Sequence, residues 1–418
     1  MKRSISFLTI ICILLCQTGC SGVYTNYREI QQLMVVQTMG LDREEGGVVV
    51  SMAAAAEASG SGPRQMSARG GTVSTAIDRA YDLSYEEEIF FSHVNHILIG
   101  EAAAEEGLEA FLNYLCQSPE LRIDIPLYIV RDGTAEQAVM EVGDGSRGIS
   151  EVMQAVRESF ATPSNSRVFN VADTMSSLER YGSALVCAIR CEPSSESAGA
   201  KAGEEIGQDT GAGATEAEEK QAAGEDQAQE EAPADEAEHP LMAGTAGYAI
   251  IREGQLCKYI EPQQTVAVGL MMGSVPVSAI QVKDRSGRAC SLEVYSGSAD
   301  IHALWDGPGE LTGLDIQVEV NASVMESGSA EDADSGEYIN YLTGQLESAV
   351  SEQLNSLLQS SMKLKSDFLG LAGKVELSSP ENYRLMSQDF VQLLPSLELQ
   401  IRVSGQLNHT NDKKEAKL

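Results

Sequence analysis

One cysteine near the amino terminus stands in a setting that favours covalent lipid attachment. Cys20 follows a basic start, Lys2 and Arg3, and a short apolar run over residues 5–16. A basic end, a short apolar stretch and small residues before the cleavage point are typical of a signal peptide. The run is little more than half the roughly 20 residues that a membrane-spanning helix needs. We therefore predict a lipoprotein signal peptide over 1–19 and acyl chains on Cys20, which anchor the mature chain to a bilayer. An ordinary secretory signal is the alternative, and it would leave Cys20 a free thiol.

The other residues with chemical potential do not form a recognisable site. His93 and His96 are the only close histidine pair, and the apolar run around them, residues 89–99, predicts one strand. An offset of three on a strand puts two side chains on opposite faces, so we expect no shared metal ion. Three glutamates at 86–88 precede that run and fit a solvated turn. No spacing typical of a nucleotide-binding loop, a nucleophile elbow or a metal box occurs. We predict no catalytic, metal-binding or cofactor-binding residue and no enzyme activity.

Of the eight cysteines, five remain in the predicted mature chain besides the lipidated one. They are Cys116, Cys187, Cys191, Cys257 and Cys290. An odd number cannot all pair. Cys187 and Cys191 would lie about 13 Å apart on one extended strand, beyond the reach of a disulfide. We predict that most of the five are buried small hydrophobes, with Cys116 on the apolar face of a helix over 102–116. Pairing of Cys187 or Cys191 with a distant cysteine stays open.

Charge separates one segment from the rest of the chain. The formal net charge is −33, which argues against nucleic acid because phosphate binding depends on Lys and Arg. Residues 192–240 contain fifteen Asp or Glu, two Lys and no aromatic residue. Such a composition cannot bury enough apolar surface to offset the loss of conformational entropy. We predict a disordered acidic insertion at 192–240.

Hydrophobic periodicity predicts α+β architecture with mixed or antiparallel sheets and helices packed on them. The N-terminal half alternates strands and helices, and it includes a βαβ unit whose second strand lies at 125–130. Turn signals at 252–254 and 284–287 predict two hairpins. Alternating strands at 314–320 and 397–403 flank a long amphipathic helix over residues 339–362. The helix should cover the sheet that these strands form.

These elements suggest several domains in the mature chain. We predict an N-terminal α+β domain over 20–191, a hairpin-rich middle domain over 241–308 and a C-terminal α+β domain over 309–412. The sole tryptophan, Trp305, stands beside a Gly-Pro-Gly loop at the last boundary, where a role in packing domains together is expected.

Short motifs spread over nearly the whole mature chain resemble those of a known family. In the N-terminal half they are Arg28-Glu29-Ile30, Gly40-Leu41-Asp42, Phe90-Phe91-Ser92-His93, Ile99-Gly100-Glu101, Glu106-Gly107-Leu108 and Pro119-Glu120-Leu121-Arg122. In the C-terminal half they are Asp367-Phe368-Leu369-Gly370 and Pro395-Ser396-Leu397. In order and spacing the chain resembles the spore germination Ger(x)C family, the lipoprotein C subunits of nutrient germinant receptors. It departs from that family in having Ser21-Gly22 in place of a Trp-Asp pair, and in carrying the acidic insertion.

The resemblance implies a three-domain α+β lipoprotein on the outer face of the spore inner membrane. It also implies assembly with an integral-membrane A subunit and a transporter-like B subunit, and no known enzymatic activity for the C subunit. A solute-binding lipoprotein of a transport system is the main alternative, and it should show two doubly wound parallel lobes. A hydrolase outside the cytoplasm is a third class, for which the sequence offers no nucleophile or metal box.

Overall fold

The computed structural model describes residues 33–54, 64–84, 88–143, 147–161, 168–193, 241–275, 277–327, 335–386 and 390–408. The predicted lipid site, Cys20, lies outside these ranges, as do residues 194–240 of the acidic segment. Within them the strands form two sheets. The first sheet contains β1 (Leu33–Glu44), β2 (Gly47–Ala54), β3 (Gln65–Gly70), β4 (Glu88–Phe90), β5 (His96–Gly100), β6 (Leu127–Arg131), β7 (Ser183–Pro193), β8 (Leu241–Arg252) and β9 (Gln255–Ile260). The second sheet contains β10 (Ser278–Lys283), β11 (Ala289–Gly307), β12 (Glu310–Ser327) and β13 (Glu398–Asn408).

Helices connect and cover these strands. Those of the first lobe, residues 33–260, are α1 (Val73–Leu83), α2 (Glu101–Glu106), α3 (Glu109–Gln117), α4 (Ala135–Glu141), α5 (Ile149–Ala161) and α6 (Val171–Tyr181). Those of the second lobe, residues 265–408, are α7 (Thr265–Met272), α8 (Gly336–Leu364), α9 (Leu371–Ser378), α10 (Pro380–Met386) and α11 (Phe390–Leu393). Short 3-10 turns lie at Pro262–Gln264 and Leu394–Ser396. The α+β prediction is confirmed.

The first sheet has a parallel centre and antiparallel flanks. Its order is β3-β2-β1-β5-β6-β7-β8-β9, and β4 pairs with the start of β1 off this path. Strands β1, β5, β6 and β7 are parallel neighbours. The predicted βαβ unit is therefore confirmed as β5, α2 with α3, and β6. Helices cover both faces of this centre, which explains why strands such as β5 are apolar and buried along their whole length.

The two faces of the first sheet enclose separate cores. One face packs against α1 and α3 through residues such as Ile77 and Phe111. The other packs against α4 and α5, and its core continues into the second lobe, so that Ile250 of β8 and Leu358 of α8 belong to the same apolar cluster. The two lobes therefore share one hydrophobic core.

Two elements predicted as continuous are broken. The strand predicted over 89–99 is wrong, because the chain turns between β4 and β5 with the Val94 amide donating to the carbonyl of Phe91 at 3.0 Å. This turn buries Phe91 and Val94. The helix predicted over 102–116 is also wrong, because Gly107 adopts φ +136° between α2 and α3. Only glycine takes that conformation readily, so the sequence itself breaks the helix there.

The second lobe confirms the periodicities of its sequence. Strand β12 alternates buried and exposed residues over 316–320, although Asp315 before this stretch is buried, and β13 closes the sheet parallel to it. Helix α8 buries the stripe Tyr338, Leu342, Leu346, Val350, Leu354, Leu357, Leu358 and Ser361, and it packs on β10 and β13. Both predicted hairpins, β8–β9 and β10–β11, are antiparallel pairs. The long helix therefore covers the sheet as predicted.

The strands of the predicted middle segment, 241–308, are divided between the two sheets. Strands β8 and β9 extend the first sheet, whereas β10 and β11 open the second. The predicted boundary at 308/309 falls in the turn of the β11–β12 hairpin, and Trp305 pairs with Leu311 inside that hairpin. The domain boundaries stay a prediction, and Trp305 lies within the second sheet.

The acidic segment leaves and rejoins the first sheet at one point. Pro193 at the end of β7 is the register partner of Leu241 at the start of β8. Antiparallel partners lie about 5 Å apart at their Cα atoms. The pairing of β7 with β8 therefore brings the two residues that flank 194–240 next to each other in the first sheet.

Candidate functional site

The two histidines do not come together. His93 is exposed in the turn after β4, whereas His96 begins β5 and is buried. Burial first, and then the positive charge of Arg157, lower the pKa of His96 to about 4. Its Nδ1 has no hydrogen-bond partner in the described part of the chain. The geometry that we predicted for this pair was wrong, and no group of three or more metal-ligating side chains occurs among the described residues.

The cysteine prediction holds only in part. Cys187 and Cys290 are buried, Cys191 is half-buried, and Cys116 and Cys257 are exposed, against the prediction for Cys116. Helix α3 instead turns Phe111, Leu112 and Leu115 inward. None of the five forms a disulfide with another described residue. Burial raises the pKa of Cys187 to about 12, so that thiol is not a nucleophile at neutral pH.

A buried carboxylate from a family motif caps a helix in the first lobe. Asp42 lies in β1, at the end of the Gly40-Leu41-Asp42 stretch, and is 5 % exposed. Its Oδ1 accepts from the amide of Ala135 at 2.9 Å and its Oδ2 from that of Glu136 at 2.7 Å. These amides open α4, and Thr134 is the N-cap of that helix, its Oγ1 accepting from the amide of Gln137 at 3.0 Å. Burial raises the pKa of Asp42, and the two amide hydrogen bonds oppose that rise.

A second motif leaves room for this carboxylate. A Cβ atom on Gly100 would lie 1.9 Å from Asp42 Oδ1. The next residue, Glu101, accepts at Oε2 from the backbone amide of Asp132 at 2.8 Å. Asp132 has a positive φ of 58°, a strained conformation for a residue other than glycine. Residues of two first-lobe motifs therefore meet at the loop between β6 and α4, where they accept hydrogen bonds from its backbone amides.

The second lobe repeats this arrangement at the lobe junction. Asp367 follows α8 and is fully buried. Its two carboxylate oxygens accept from the amides of Leu371 at 2.7 Å and Ala372 at 2.9 Å, at the start of α9. Burial raises the pKa of Asp367 to about 7, although both hydrogen bonds act in the opposite direction. The carboxylate is therefore close to its titration point at neutral pH.

The loop that carries Asp367 touches the first lobe directly. Ser366 Oγ lies 2.8 Å from Ser183 Oγ at the start of β7. Arg252 at the end of β8 donates to the carbonyl of Leu364 at 2.8 Å. A Cβ atom on Gly373 of α9 would lie 2.5 Å from the Tyr181 hydroxyl at the end of α6. These contacts bring the last turn of α8 against the first sheet and α9 against the end of α6.

Further polar contacts extend the junction. Lys258 of β9 donates to Ser360 at 3.1 Å, and Gln264 donates to Ser356 at 3.0 Å. Arg180 of α6 and Glu376 of α9 form an ion pair on the surface. The candidate functional site of this chain is thus the junction, which fixes two lobes relative to each other. Both capping carboxylates have their oxygens occupied by backbone donors, and neither is hydrogen-bonded to a nucleophilic side chain.

Sequence reasoning placed Asp42, Gly100 and Asp367 in motifs but gave them no structural role. For Asp367 a local signal existed, since an acidic residue just before a helix start is a common source of N-terminal hydrogen bonds. For Asp42 no local signal exists, because its partner Ala135 is 93 residues away.

Comparisons with known proteins agree with this architecture. A spore germination protein N-terminal domain matches residues 26–190, and a spore germination B3/GerAC-like C-terminal domain matches residues 246–411. The crystal structure of the GerBC protein aligns with a TM-score of 0.52 at 13 % identity, covering 88 % of this chain and 96 % of that chain. At that identity the likeness bears on the fold alone. No curated protein matches the chain.

The fold and the two matched domains define a class, the spore germination proteins with an N-terminal and a GerAC-like C-terminal domain. The chain belongs to the GerAC-like family of germinant-receptor C subunits, which is not a known enzyme family. Membership implies a place in a receptor complex associated with the spore membrane. Among the described residues, no helix is both long enough and apolar enough to cross a bilayer.

The contact between Gly100 and Asp42 gives a sharp test of the first carboxylate. We expect Gly100→Ala to lower the free energy of unfolding by about 2 kcal/mol or more, because a displaced carboxylate leaves two buried amides unpaired. Gly71→Ala is the matched control, since a Cβ atom there meets nothing within 4 Å. Denaturant titration of both variants measures the difference. Equal free energies of unfolding for the two variants would show that Asp42 does not need the space left by the missing side chain of Gly100.

The raised pKa of Asp367 predicts a pH dependence of stability. In the folded chain the group keeps its proton up to about pH 7, whereas in the unfolded chain it loses that proton near its ordinary value of 3.8. Its contribution is therefore fully present below pH 3.8 and is lost as pH rises through 7, by roughly 1.4 kcal/mol per pH unit in between. Asp367→Asn removes this titration.

The measurement is the difference in unfolding free energy between the wild type and Asp367→Asn from pH 4 to pH 8. Because His96 and Asp42 titrate in both proteins, the difference isolates Asp367. We expect the asparagine variant to gain relative to the wild type as pH rises. A difference that stays constant with pH, or changes in the opposite sense, would contradict burial as the dominant influence on this carboxyl group.

Proposed function

We propose that this chain is the C subunit of a spore nutrient germinant receptor and that it acts through protein–protein contacts rather than catalysis. Acyl chains on Cys20 hold it on the outer face of the spore inner membrane, and its partners are the integral-membrane A and B subunits. The observation that carries the proposal is the pair of germination domains over 26–190 and 246–411, which together take in nearly all of the described fold.

The proposed anchor rests on the amino-terminal sequence. A basic start and a short apolar run precede Cys20, and only the twelve residues 21–32 separate that cysteine from the first residue of β1. Two or three acyl chains bind a bilayer stably where a single chain is marginal. An anchor of this kind brings the folded lobes close to membrane-embedded partners.

The proposed mode of action rests on the lobe junction. Buried hydrogen bonds around Asp367 and Ser366 and a shared apolar core join the lobes, so a partner bound to one lobe is held in a defined position relative to the other. Such an arrangement suits an assembly subunit. Both oxygens of each buried carboxylate accept hydrogen bonds from backbone amides at a helix start, so these groups have a structural part in the proposal.

The alternative of a solute-binding lipoprotein gains no support from the fold. That class requires two doubly wound parallel lobes, whereas β10, β11 and β12 pair antiparallel in the second sheet. Three grooves lined by described residues, of about 290, 430 and 400 Å³, are at the small end of ligand pockets.

Purification from the native membrane tests the proposal. We expect the detergent-solubilised full chain to bring down two polytopic membrane proteins, and its amino terminus to carry diacylglycerol and acyl groups by mass spectrometry. Cys20→Ser should leave the lobes folded and abolish membrane retention when the partner subunits are absent. Cys116→Ser, at an exposed cysteine of the first lobe, is the matched control and should behave as wild type.

Two results would contradict the proposal in different ways. An unmodified, freely secreted chain that still binds the polytopic proteins would remove the anchor and keep the partnership. A lipidated chain that purifies alone and turns over a substrate would remove the partnership and the non-catalytic mode of action.

A further inference from the structure

Several large apolar side chains are exposed near one end of the first lobe. Leu83 at the end of α1 is 49 % exposed, Phe90 in β4 is 40 % exposed, and Ile123 before β6 is 52 % exposed. Tyr81, on the last turn of α1, is 39 % exposed. Exposed apolar side chains that gather in one region of a surface typically mark a contact with a membrane or another protein.

The topology places these residues at one edge of the first sheet. Strands β1, β4, β5 and β6 run parallel. β4 begins level with Leu33 of β1, whereas β5 and β6 begin level with Thr38 and Met39, five and six residues further along β1. Phe90 is the register partner of Val35 near the start of β1, and Ile123 lies four residues before β6 begins. We call this the β1-start edge, defined by Leu83, Phe90 and Ile123.

Contacts of Tyr81 bring the end of α1 to the same edge. Its hydroxyl donates to the carbonyl of Ile89 in β4 at 3.4 Å, and its ring meets that of Phe91 edge-on at 6.4 Å. Burial first, and then the negative charge of Glu120, raise the pKa of Tyr81 to about 12, which places the loop before β6 alongside. Leu83 follows Tyr81 by two residues.

The chain enters the fold at this edge from the proposed anchor. Cys20 precedes Leu33 by thirteen residues, and a fully extended chain of that length spans at most about 45 Å. Strand β1 itself runs about 40 Å away from that point. Of the two ends of the parallel strands, the β1-start edge is therefore the one tied closest to the bilayer.

We propose that the β1-start edge faces the bilayer and inserts Leu83, Phe90 and Ile123 into its interface. The proposal rests on the lipid anchor of the proposed function. Asp82 precedes Leu83, whereas Arg122 and Asp124, on either side of Ile123, form an ion pair with each other at 3.1 Å. The contact with the bilayer interface is therefore made by the apolar side chains.

A comparison surface exists in the second lobe. Leu377 of α9 and Leu385 of α10 are 84 % and 67 % exposed, more than any side chain of the β1-start edge. The chain reaches them from Cys20 only after passing through the whole first lobe. They provide a control for exposure alone, since a bilayer contact driven only by exposed apolar area would favour them.

The test uses single-tryptophan variants of the mature lipoprotein in phosphatidylcholine vesicles with brominated acyl chains. Trp305→Phe removes the native fluorophore, and Phe90→Trp or Leu377→Trp places one at either surface. Brominated chains quench a tryptophan that enters the interface. We expect about twofold quenching for Phe90→Trp and no quenching for Leu377→Trp, because interfacial apolar groups sit about 5–10 Å deep.

Vesicle flotation, measured on the same samples, separates the two claims. Protein that does not float with the vesicles overturns the anchor, and this inference with it. Protein that floats, with quenching confined to Leu377→Trp or absent from both variants, leaves the anchor standing and overturns the orientation. Far-ultraviolet circular dichroism before reconstitution shows that each variant is folded.

Discussion

The hydrogen bonds of one buried carboxylate hold the two lobes of this chain in register. Asp367 accepts from the first two amides of α9, and this fixes the loop on which Ser366 meets Ser183 of the first sheet. The same helix carries Gly373, whose missing side chain admits Tyr181. Without that carboxylate, two amides would be left unpaired in a buried junction, which is costly enough to reorganise the contact. The shared apolar core adds buried apolar surface to a junction whose geometry these polar contacts already fix.

Three residues of the family motifs therefore have structural roles. Asp42 is the last residue of its motif and Asp367 is the first residue of its motif. Both are buried, and each caps a short helix. Gly100 belongs to the same arrangement because it clears space for Asp42. Residues of this kind keep a non-catalytic scaffold rigid, which is what an assembly subunit requires. A receptor subunit built in this way contributes positions and surfaces rather than reactive groups.

Sequence periodicity predicted the elements that show a regular apolar spacing within themselves. It missed the contacts between residues that lie far apart in the sequence. The α8 stripe and the alternation of β12 over 316–320 follow from regular spacing, and both are confirmed. The continuous strand over 89–99 was wrong because an apolar run carries no mark of where a chain turns. The exposure of Cys116 was missed because the tertiary packing of a helix decides which of its residues are buried, and the sequence does not show that packing. The link from Asp42 to α4 needed the fold itself, since parallel strands bring together residues that the sequence separates widely.

The central claim, that the lobes form one mechanical unit, can be tested by following unfolding in each lobe at once. Trp305 fluorescence reports on the second sheet, and a thiol dye on exposed Cys116, with Cys257→Ser to remove the other exposed thiol, reports on the first lobe. We predict coincident denaturant transitions with one midpoint, as expected of a single cooperative unit. Two separated midpoints, with one lobe unfolding while the other stays intact, would contradict the account.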